Sequence, residues 1–444
     1  MTIDFTDSTS VADTLKFIYG EGIETQFADE QTLYNNIPKS NATIGGLGYQ
    51  FGVTYGDPQS VGGRVESAIL PDPLVGKFDK ALVEPAYIYS TGRLTGPAME
   101  KGKGNASAFM DVTDNQIKGM YRALRNDLNR QAWGDGFGLL GTLSAASDTL
   151  SVGATWTVTC DNTQGVRLLK PGMVVDFYDS ASIDQSSVAS RISTVDYLNN
   201  TMEMEIVAAT GAGGSTYQAD HPIVAARTYT IVAEAVPNGS YIVRIGARKA
   251  AHATSDTPIE MTGMEGIFDD GTLLATFEDI LVSTHTQWKA NMLGNSSVDR
   301  ELTEDLLLQA CNATRNMSGE NASIMYMGEG QMRKYANLLL GDVRFNPQKL
   351  SGGYDSIGFA AGAGDVRMVV DPVSPRGKIF VTKVGSVEKY ELMPLGFMNR
   401  DQMLHQRAKY DEWDFALAIY ANFGTAQRNA NTLLYDLVEP SEFG

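Results

Sequence analysis

Thr113-Asp114-Asn115-Gln116-Ile117-Lys118-Gly119-Met120-Tyr121-Arg122-Ala123-Leu124-Arg125-Asn126-Asp127-Leu128-Asn129-Arg130 is the most strongly patterned run in the chain, and it governs how its flanks are read. Ile117, Met120, Tyr121, Leu124 and Leu128 recur at the i, i+3, i+4, i+7, i+11 spacing that lines one face of an α-helix. Thr113 or Asp114 supplies an N-cap, because a short side-chain oxygen there accepts an amide that the first turn leaves without a partner. Gly134 supplies the stop. Lys118, Arg122, Arg125, Asp127 and Arg130 occupy the other face, so the spacing predicts an amphipathic rod with one side buried. About twenty residues rising about 1.5 Å each make a rod of about 30 Å, long enough to serve as the spine of a domain.

Upstream of the rod, from Tyr49 to about Ser107, the chain is aromatic and β-prone but broken by Gly56-Asp57-Pro58, Gly62-Gly63, Pro71-Asp72-Pro73 and Gly102-Lys103-Gly104. No helical period runs through it, and a long projecting β-hairpin or loop fits best. The residues before it read as an arm, with a short helix expected around Thr14 to Tyr19 and a loop at Asn41-Ala42-Thr43-Ile44-Gly45-Gly46.

Downstream, between about Gly141 and Thr262, the period changes to that of short strands: Thr155 to Thr159, Met173 to Tyr178, Met202 to Val207, Tyr229 to Ala233 and Tyr241 to Ile245. Met202, Met204 and Ile206 alternate, as do Tyr241, Val243 and Ile245, each set marking one buried face. Pro171-Gly172, Asn199-Asn200 and Asn238-Gly239 supply the turns. This segment is expected to be a small all-β domain inserted into the main fold. After the glycine-punctuated join Gly263 to Gly271, α/β character resumes. Thr303 caps a helix whose first turn holds Glu304 and Asp305, with Leu306, Ala310 and Cys311 inward. A second helix carries Met332, Tyr335, Ala336 and Leu339, and strands follow at Val366 to Val370, Lys378 to Thr382, Phe415 to Phe423 and Thr432 to Leu437.

With 444 residues, 43% hydrophobic and 20% charged, the chain is an ordered globular protein with room for about three domains. The acidic, hydroxyl-rich start from Met1 to Ser10 does not read as an export signal, and no run of apolar residues is long enough to span a membrane. Cys160 and Cys311 are expected to be reduced structural thiols. The net charge of −18 argues against tight wrapping of nucleic acid. Its distribution is uneven. Residues 51–110 hold 6 acids and 6 bases and residues 111–133 hold 3 and 4, whereas residues 134–290 hold 18 acids and 8 bases. The neutral stretch can lie against copies of itself without self-repulsion, and the acidic one is expected to face solvent.

Letter patterns for chemistry fail in context. Gly136-Phe137-Gly138-Leu139-Leu140-Gly141 matches GxGxxG but follows a helix instead of opening one, so the pyrophosphate of a dinucleotide would not meet a helix N-terminus; a flexible exit from the rod is expected instead. Gly211-Ala212-Gly213-Gly214-Ser215 lacks the Gly-Lys-Ser/Thr end of a phosphate loop. His221, His252, His285 and His405 show no metal-ligand spacing, and no serine sits in a GxSxG elbow. Asp269-Asp270 and Asp411-Glu412-Trp413-Asp414 lack calcium-loop spacing and read as turn caps or solvated edges. The expectation is of no catalytic, cofactor-binding or metal-ligating residue, and no enzyme.

The order of parts carries a resemblance. The loop and helix from Phe51 to Gly134, the join Gly263-Met264-Glu265-Gly266-Ile267-Phe268-Asp269-Asp270-Gly271-Thr272, and the ending from Tyr420-Ala421-Asn422-Phe423-Gly424 through Arg428-Asn429-Ala430 to Leu437 resemble the tailed-phage major capsid proteins of the Hong Kong 97 type. The likeness covers most of the chain and rests on the ordered set, with no single diagnostic motif. It implies an α+β capsid fold with an N-terminal arm (1–48), an extended loop (49–108), the spine helix of a peripheral domain (109–140), an inserted β domain (141–262), a join and peripheral segment (263–296), an axial domain (297–395) and a C-terminal peripheral strand region (396–444). It also implies hexamers and pentamers closing an icosahedral shell around double-stranded DNA, in a virion assembled in the bacterial cytoplasm. The expected partners are a portal protein, a separate scaffolding protein, a decoration protein and packaged DNA contacted non-specifically, with no membrane. Lys77, Lys80, Lys101 and Lys103 lie in the loop where the family's first member cross-links, but no motif assigns a partner, so non-covalent locking is expected. Competing readings are an encapsulin-like compartment shell and a β-rich tail or surface adhesin.

Overall fold

The structure, a computed structural model, describes residues 31–42, 46–67, 69–102, 112–144, 155–161, 165–178, 188–209, 239–244, 247, 258–339, 358–361, 364–398, 404–406 and 409–440. The helix expected near Thr14, the strand expected at Tyr229 to Ala233, the loop at Gly211, His221 and His252 lie outside them.

The described residues begin with a short helix, α1 (Thr32–Asn36), followed by an antiparallel pair, β1 (Tyr49–Gly56) and β2 (Lys77–Val83). Next come β3 (Ala86–Thr95), α2 (Gly96–Gly102) and the long helix α3 (Val112–Trp133). Neither α1 nor α2 was expected; α2 lies in the glycine-broken stretch, where Gly96-Pro97 places proline in the first turn, a position that tolerates its missing amide. The strands β4 (Leu139–Thr142), β5 (Thr155–Thr159), β6 (Val174–Tyr178), β7 (Val188–Asp196), β8 (Thr201–Ala209) and β9 (Tyr241–Arg244) follow. The short helix α4 (Met264–Ile267) falls in the glycine-rich join, and the pair β10 (Thr276–Phe277) and β11 (Ile280–Leu281) comes after it. Then come β12 (Asn291–Leu293), α5 (Glu304–Ser318), β13 (Ile324–Met327), α6 (Glu329–Leu339), β14 (Gly358–Ala361), β15 (Gly364–Val370) and β16 (Ile379–Thr382). The chain closes with β17 (Val387–Phe397), β18 (His405–Gln406), β19 (Glu412–Thr425), a 3₁₀ turn at Arg428–Ala430 and β20 (Thr432–Leu434).

The chain divides into two compact units. Residues 89–124 and 397–417 belong to one; residues 30–88, 125–396 and 418–444 belong to the other. In the first, Met120, Leu124, Leu94 and Phe415 are buried. Tyr121, expected on the buried face of the helix, is instead exposed, and Ile117 is half-buried. Arg93 of β3 pairs with Asp414 at 2.7 Å and Glu412 at 3.7 Å, so the acid cluster near Trp413 works as a charged strand edge.

Among its described residues the second unit contains, besides the β1–β2 and β10–β11 pairs, two six-stranded sheets with separate cores. One is mixed, with strand order β12-β20-β16-β13-β15-β14; β12 runs parallel to β20 and β13 parallel to β15. Its core joins Met325, Met327, Val366, Met368, Ile379 and Val381 of the sheet to Leu307, Ala310 and Cys311 of α5 and Tyr335 of α6. The Thr303 cap is formed, its side-chain oxygen accepting from the Leu306 amide at 3.3 Å. Ala310 and Cys311 are buried as expected, and Leu307 takes the buried position assigned to Leu306, which is half-buried.

The other sheet is wholly antiparallel, ordered β4-β9-β6-β7-β8-β5. It closes on itself just beyond the ends of β4 and β5. Leu143 pairs with Cys160, the Ser144 amide donates to Thr159 O at 3.0 Å, and the Asp161 amide donates to Thr142 O at 2.7 Å. The result is a six-stranded barrel. The interior is filled by Leu140, Leu143, Val158, Val175, Phe177, Ile192, Met202, Met204 and Ile242. Cys160 lies in that interior, where burial pushes its thiol up to about 12, so it stays protonated and inert.

Candidate assembly surface: the hairpin and its supports

Strands β1 and β2 form a ribbon in register from Tyr49↔Val83 to Gly56↔Lys77, with a bulge between Thr54 and Gly56. Bulges sharpen twist and bend a ribbon. Beyond the bulge, the described residues of 57–76 have no strand or helix, and Val61, Ile69 and Val75 are 91%, 88% and 87% exposed. Val65, Leu70 and Leu74 are exposed as well. A two-stranded ribbon is marginal in water, and apolar exposure of this extent makes the hairpin a candidate interaction surface.

The root of the ribbon is held at two places. Tyr49 stacks on Tyr390 of β17, ring centroids 5.3 Å apart, and Val83 and Tyr390 form a small core to which Phe51 adds. The Leu82 amide donates to Glu278 O at 2.9 Å. Further out, Asp79 Oδ2 lies 2.8 Å from His285 Nε2, and the Tyr55 ring is 4.3 Å from that imidazole. A recess of about 370 Å³ lies beside these groups, lined by residues 52–55 of β1 and by His285, Trp288 and Arg428.

The last turns of α3 are buried on every side, which the periodicity did not foresee. Asp127 and Arg130, assigned to the polar face, are enclosed: Arg130 Nε donates to Asp127 Oδ1 at 2.9 Å, and Arg130 Nη2 reaches both Glu260 oxygens at 2.8 Å. Arg244 of β9 stands 3.3 Å from Asp127. Burial alone would raise the Asp127 carboxyl, but Arg130 and Arg244 outweigh it and hold it well below the usual carboxylate range. Burial likewise opposes the Arg130 charge, and Asp127 with Glu260 overcomes it, keeping the guanidinium protonated. Two acids and two bases thus form a neutral cluster at the foot of the barrel.

Asp371, fully buried, gathers a second set of donors: the Leu33 amide at 3.0 Å, Asn129 Nδ2 at 3.1 Å, Trp133 Nε1 at 3.1 Å and the Val373 amide at 2.8 Å. It ties α1, the end of α3 and the turn after β15 to one carboxylate. That turn receives the barrel, since Arg167 donates to Pro372 O at 2.9 Å and Ser374 O at 2.5 Å. Asp269 caps the amides of Gly271, Leu273 and Leu274, as expected of a turn, and also lies 3.7 Å from the buried Arg428. The Gly136 to Gly141 run leads into β4, with Gly136 and Gly138 at φ +90° and +72°; apart from partly exposed Leu139 it is buried, so the expected flexible exit is a packed turn. Among the described residues, no group of three or more His, Cys, Asp or Glu side chains is placed to hold a metal ion, and no helix is long and apolar enough to cross a membrane.

Compared with solved structures, the chain aligns with the capsid asymmetric unit of cyanophage A-1(L) at a TM-score of 0.56, over 97% of this chain and 99% of that one, with 10% identity. It aligns with the capsid of the native GTA particle at 0.50, over 98% and 100%, with 9% identity. No family model and no curated protein matches the chain. The fold is that of a phage capsid subunit. It is a mixed helix-and-sheet fold, as the resemblance in the sequence implied, matched at a sequence identity of about a tenth.

Proposed function

We propose that the chain is the major capsid protein of a tailed, double-stranded DNA phage, assembling into hexamers and pentamers that close an icosahedral head. The observation that carries this reading beyond the shared fold is the hairpin, whose apolar residues 57–76 are exposed in the isolated subunit. A neighbouring subunit is the cover that its near-neutral charge permits.

In this assignment residues 1–48 are the arm, 49–108 the extended loop, and 109–140 the spine-helix segment containing α3. Residues 141–262 are the inserted β domain, 263–296 the join, 297–395 the axial domain and 396–444 the C-terminal peripheral region. The subunit is a structural protein and not an enzyme, needs no cofactor, and locks without covalent cross-links. Its partners are copies of itself, a portal protein, a separate scaffolding protein, a decoration protein and the packaged DNA, which it contacts non-specifically. Its place is the virion capsid.

Negative-stain electron microscopy of the purified chain, with and without a co-expressed scaffolding protein, tests the reading. Closed shells with five- and six-fold capsomers are expected. Monomers or trimers under both conditions would overturn it.

A further inference from the structure

Glu278 occupies an unusual place. It and Asp279 form the two-residue turn between β10 and β11, at φ +51° and +65°, where glycine or asparagine is the usual choice. Glu278 is half-buried as a residue, but its carboxyl turns inward and Oε2 is buried. One carboxyl oxygen accepts from the Thr425 amide at 2.8 Å; the other is buried without a hydrogen-bond partner. The seat is shaped for it. A Cβ at Gly424 would stand 2.8 Å from Glu278 Oε1, 2.8 Å from Val83 Cγ2 and 3.0 Å from Tyr390 Cε2, so only glycine leaves the space. The main-chain carbonyl of the same residue takes the Leu82 amide. One residue therefore joins the root of the hairpin to the end of β19.

We propose that Glu278 is a proton-operated catch for the hairpin root: the neutral carboxyl seated under Gly424 holds β2 against β19, and its ionisation releases the root. For assembly, this rests on the reading of the hairpin as the arm that lies on a neighbour. The groups facing the carboxyl are few. Arg428 approaches from the 3₁₀ turn, but its donors are taken by Ile267 O and Gly266 O at 2.9 Å, with Asp269 and Asp270 behind it. Tyr390 faces it from β17, with Tyr49 of β1 stacked on that ring. Strands β2 and β19 present main chain and Val83, and Asp279 is exposed.

Burial raises the Glu278 carboxyl to about 8, against the opposing pull of Thr425 and Arg428. Because the folded value lies above the ordinary 4.5, the contribution is fully present below about 4.5 and is lost as pH rises through about 8. A charge left in that seat meets one amide and no direct cation, which is the costly state.

Hydrogen exchange on the full-length protein, read at the Leu82 and Thr425 amides and corrected for intrinsic rate, tests the catch. From about pH 6 to about pH 9, protection of both amides falls about tenfold or more in the wild type, while the β5 and β8 amides of the barrel keep theirs. In Glu278→Gln, which cannot ionise, the loss disappears. Unchanged protection in the wild type, or an equal loss in Glu278→Gln, overturns the proposal. Should that variant not fold, the wild type still decides: equal loss at the root and in the barrel refutes the catch. Shells with a pH-independent root refute the catch and keep the capsid reading; a pH-dependent root without shells does the reverse.

Discussion

The barrel of β4 to β9 and the hairpin of β1 and β2 are both antiparallel β structures, yet they treat their edges and their apolar residues in opposite ways. In the barrel, Leu143 meets Cys160 to close the ring, and Phe177, Ile192 and Met204 fill it. The hairpin keeps two strands and sends Val61, Ile69 and Val75 into solvent. One region satisfies itself within the chain. The other leaves its apolar residues uncovered within the chain, and the proposed assembly supplies a neighbour to cover them. The stability of the isolated subunit should therefore be sensitive to the barrel and its foot and indifferent to the hairpin loop, and shell formation should show the opposite order.

On subunit stability, the largest effect is expected from Arg130→Ala, which strands Asp127 and Glu260 in the buried cluster and costs about 3–5 kcal/mol in chemical denaturation. A variant with wild-type stability would show that the foot of the barrel is wetter than its enclosure implies. Phe177→Ala, emptying the barrel centre, is expected to cost about 3–4 kcal/mol. A loss confined to the barrel amides in hydrogen exchange would sharpen the contrast, because it would establish the barrel as its own cooperative unit. Asp371→Asn keeps the shape but turns one acceptor oxygen into an NH2 facing N–H donors, so at least one of the four hydrogen bonds breaks and the others weaken, and about 1–3 kcal/mol is expected. Ile69→Asp is expected to change subunit stability by no more than about 0.5 kcal/mol while blocking shell formation in electron microscopy. Normal shells from that variant would break the comparison, since the loop would then need no apolar cover.

Much of the fold was legible because it rests on local period. The apolar spacing from Ile117 to Leu128 located α3, and the strand-like runs located β5, β6, β8 and β9 to within a residue or two at most ends; Met202 and Met204 lie inward as their alternation implied, whereas in β9 it is Ile242, and not the set containing Tyr241 and Val243, that enters the barrel interior. Thr303 signalled its own helix start. What escaped depends on partners far away in sequence. Period alone could not show that Arg130 would be enclosed, since its partner Glu260 returns 130 residues later. Nor could it show that the strands would close into a ring, which needs Leu143 and Cys160 side by side. Tyr121 fits the helical stripe by spacing, yet it falls on the open side. As for the candidate surface, the broken, neutral composition of residues 49–108 pointed to the hairpin, but Glu278 carried no signal, because a glutamate in a turn reads as solvated until the fold places Gly424 above it.

The barrel leaves the chain and rejoins it at almost the same point. The Arg244 amide meets Gly138 O at 3.0 Å, and the Glu260 amide meets Gly136 O at 3.0 Å, so departure and return lie side by side. A detour with adjacent ends behaves as a cassette: its contents can be exchanged without lengthening the host fold, provided the replacement supplies what Arg244 gives Asp127 and Arg167 gives the turn after β15. That makes the stretch between Gly138 and Arg244 the natural port for grafting a foreign domain onto this subunit. Any passenger whose own termini sit together would inherit the doorway that the barrel now uses.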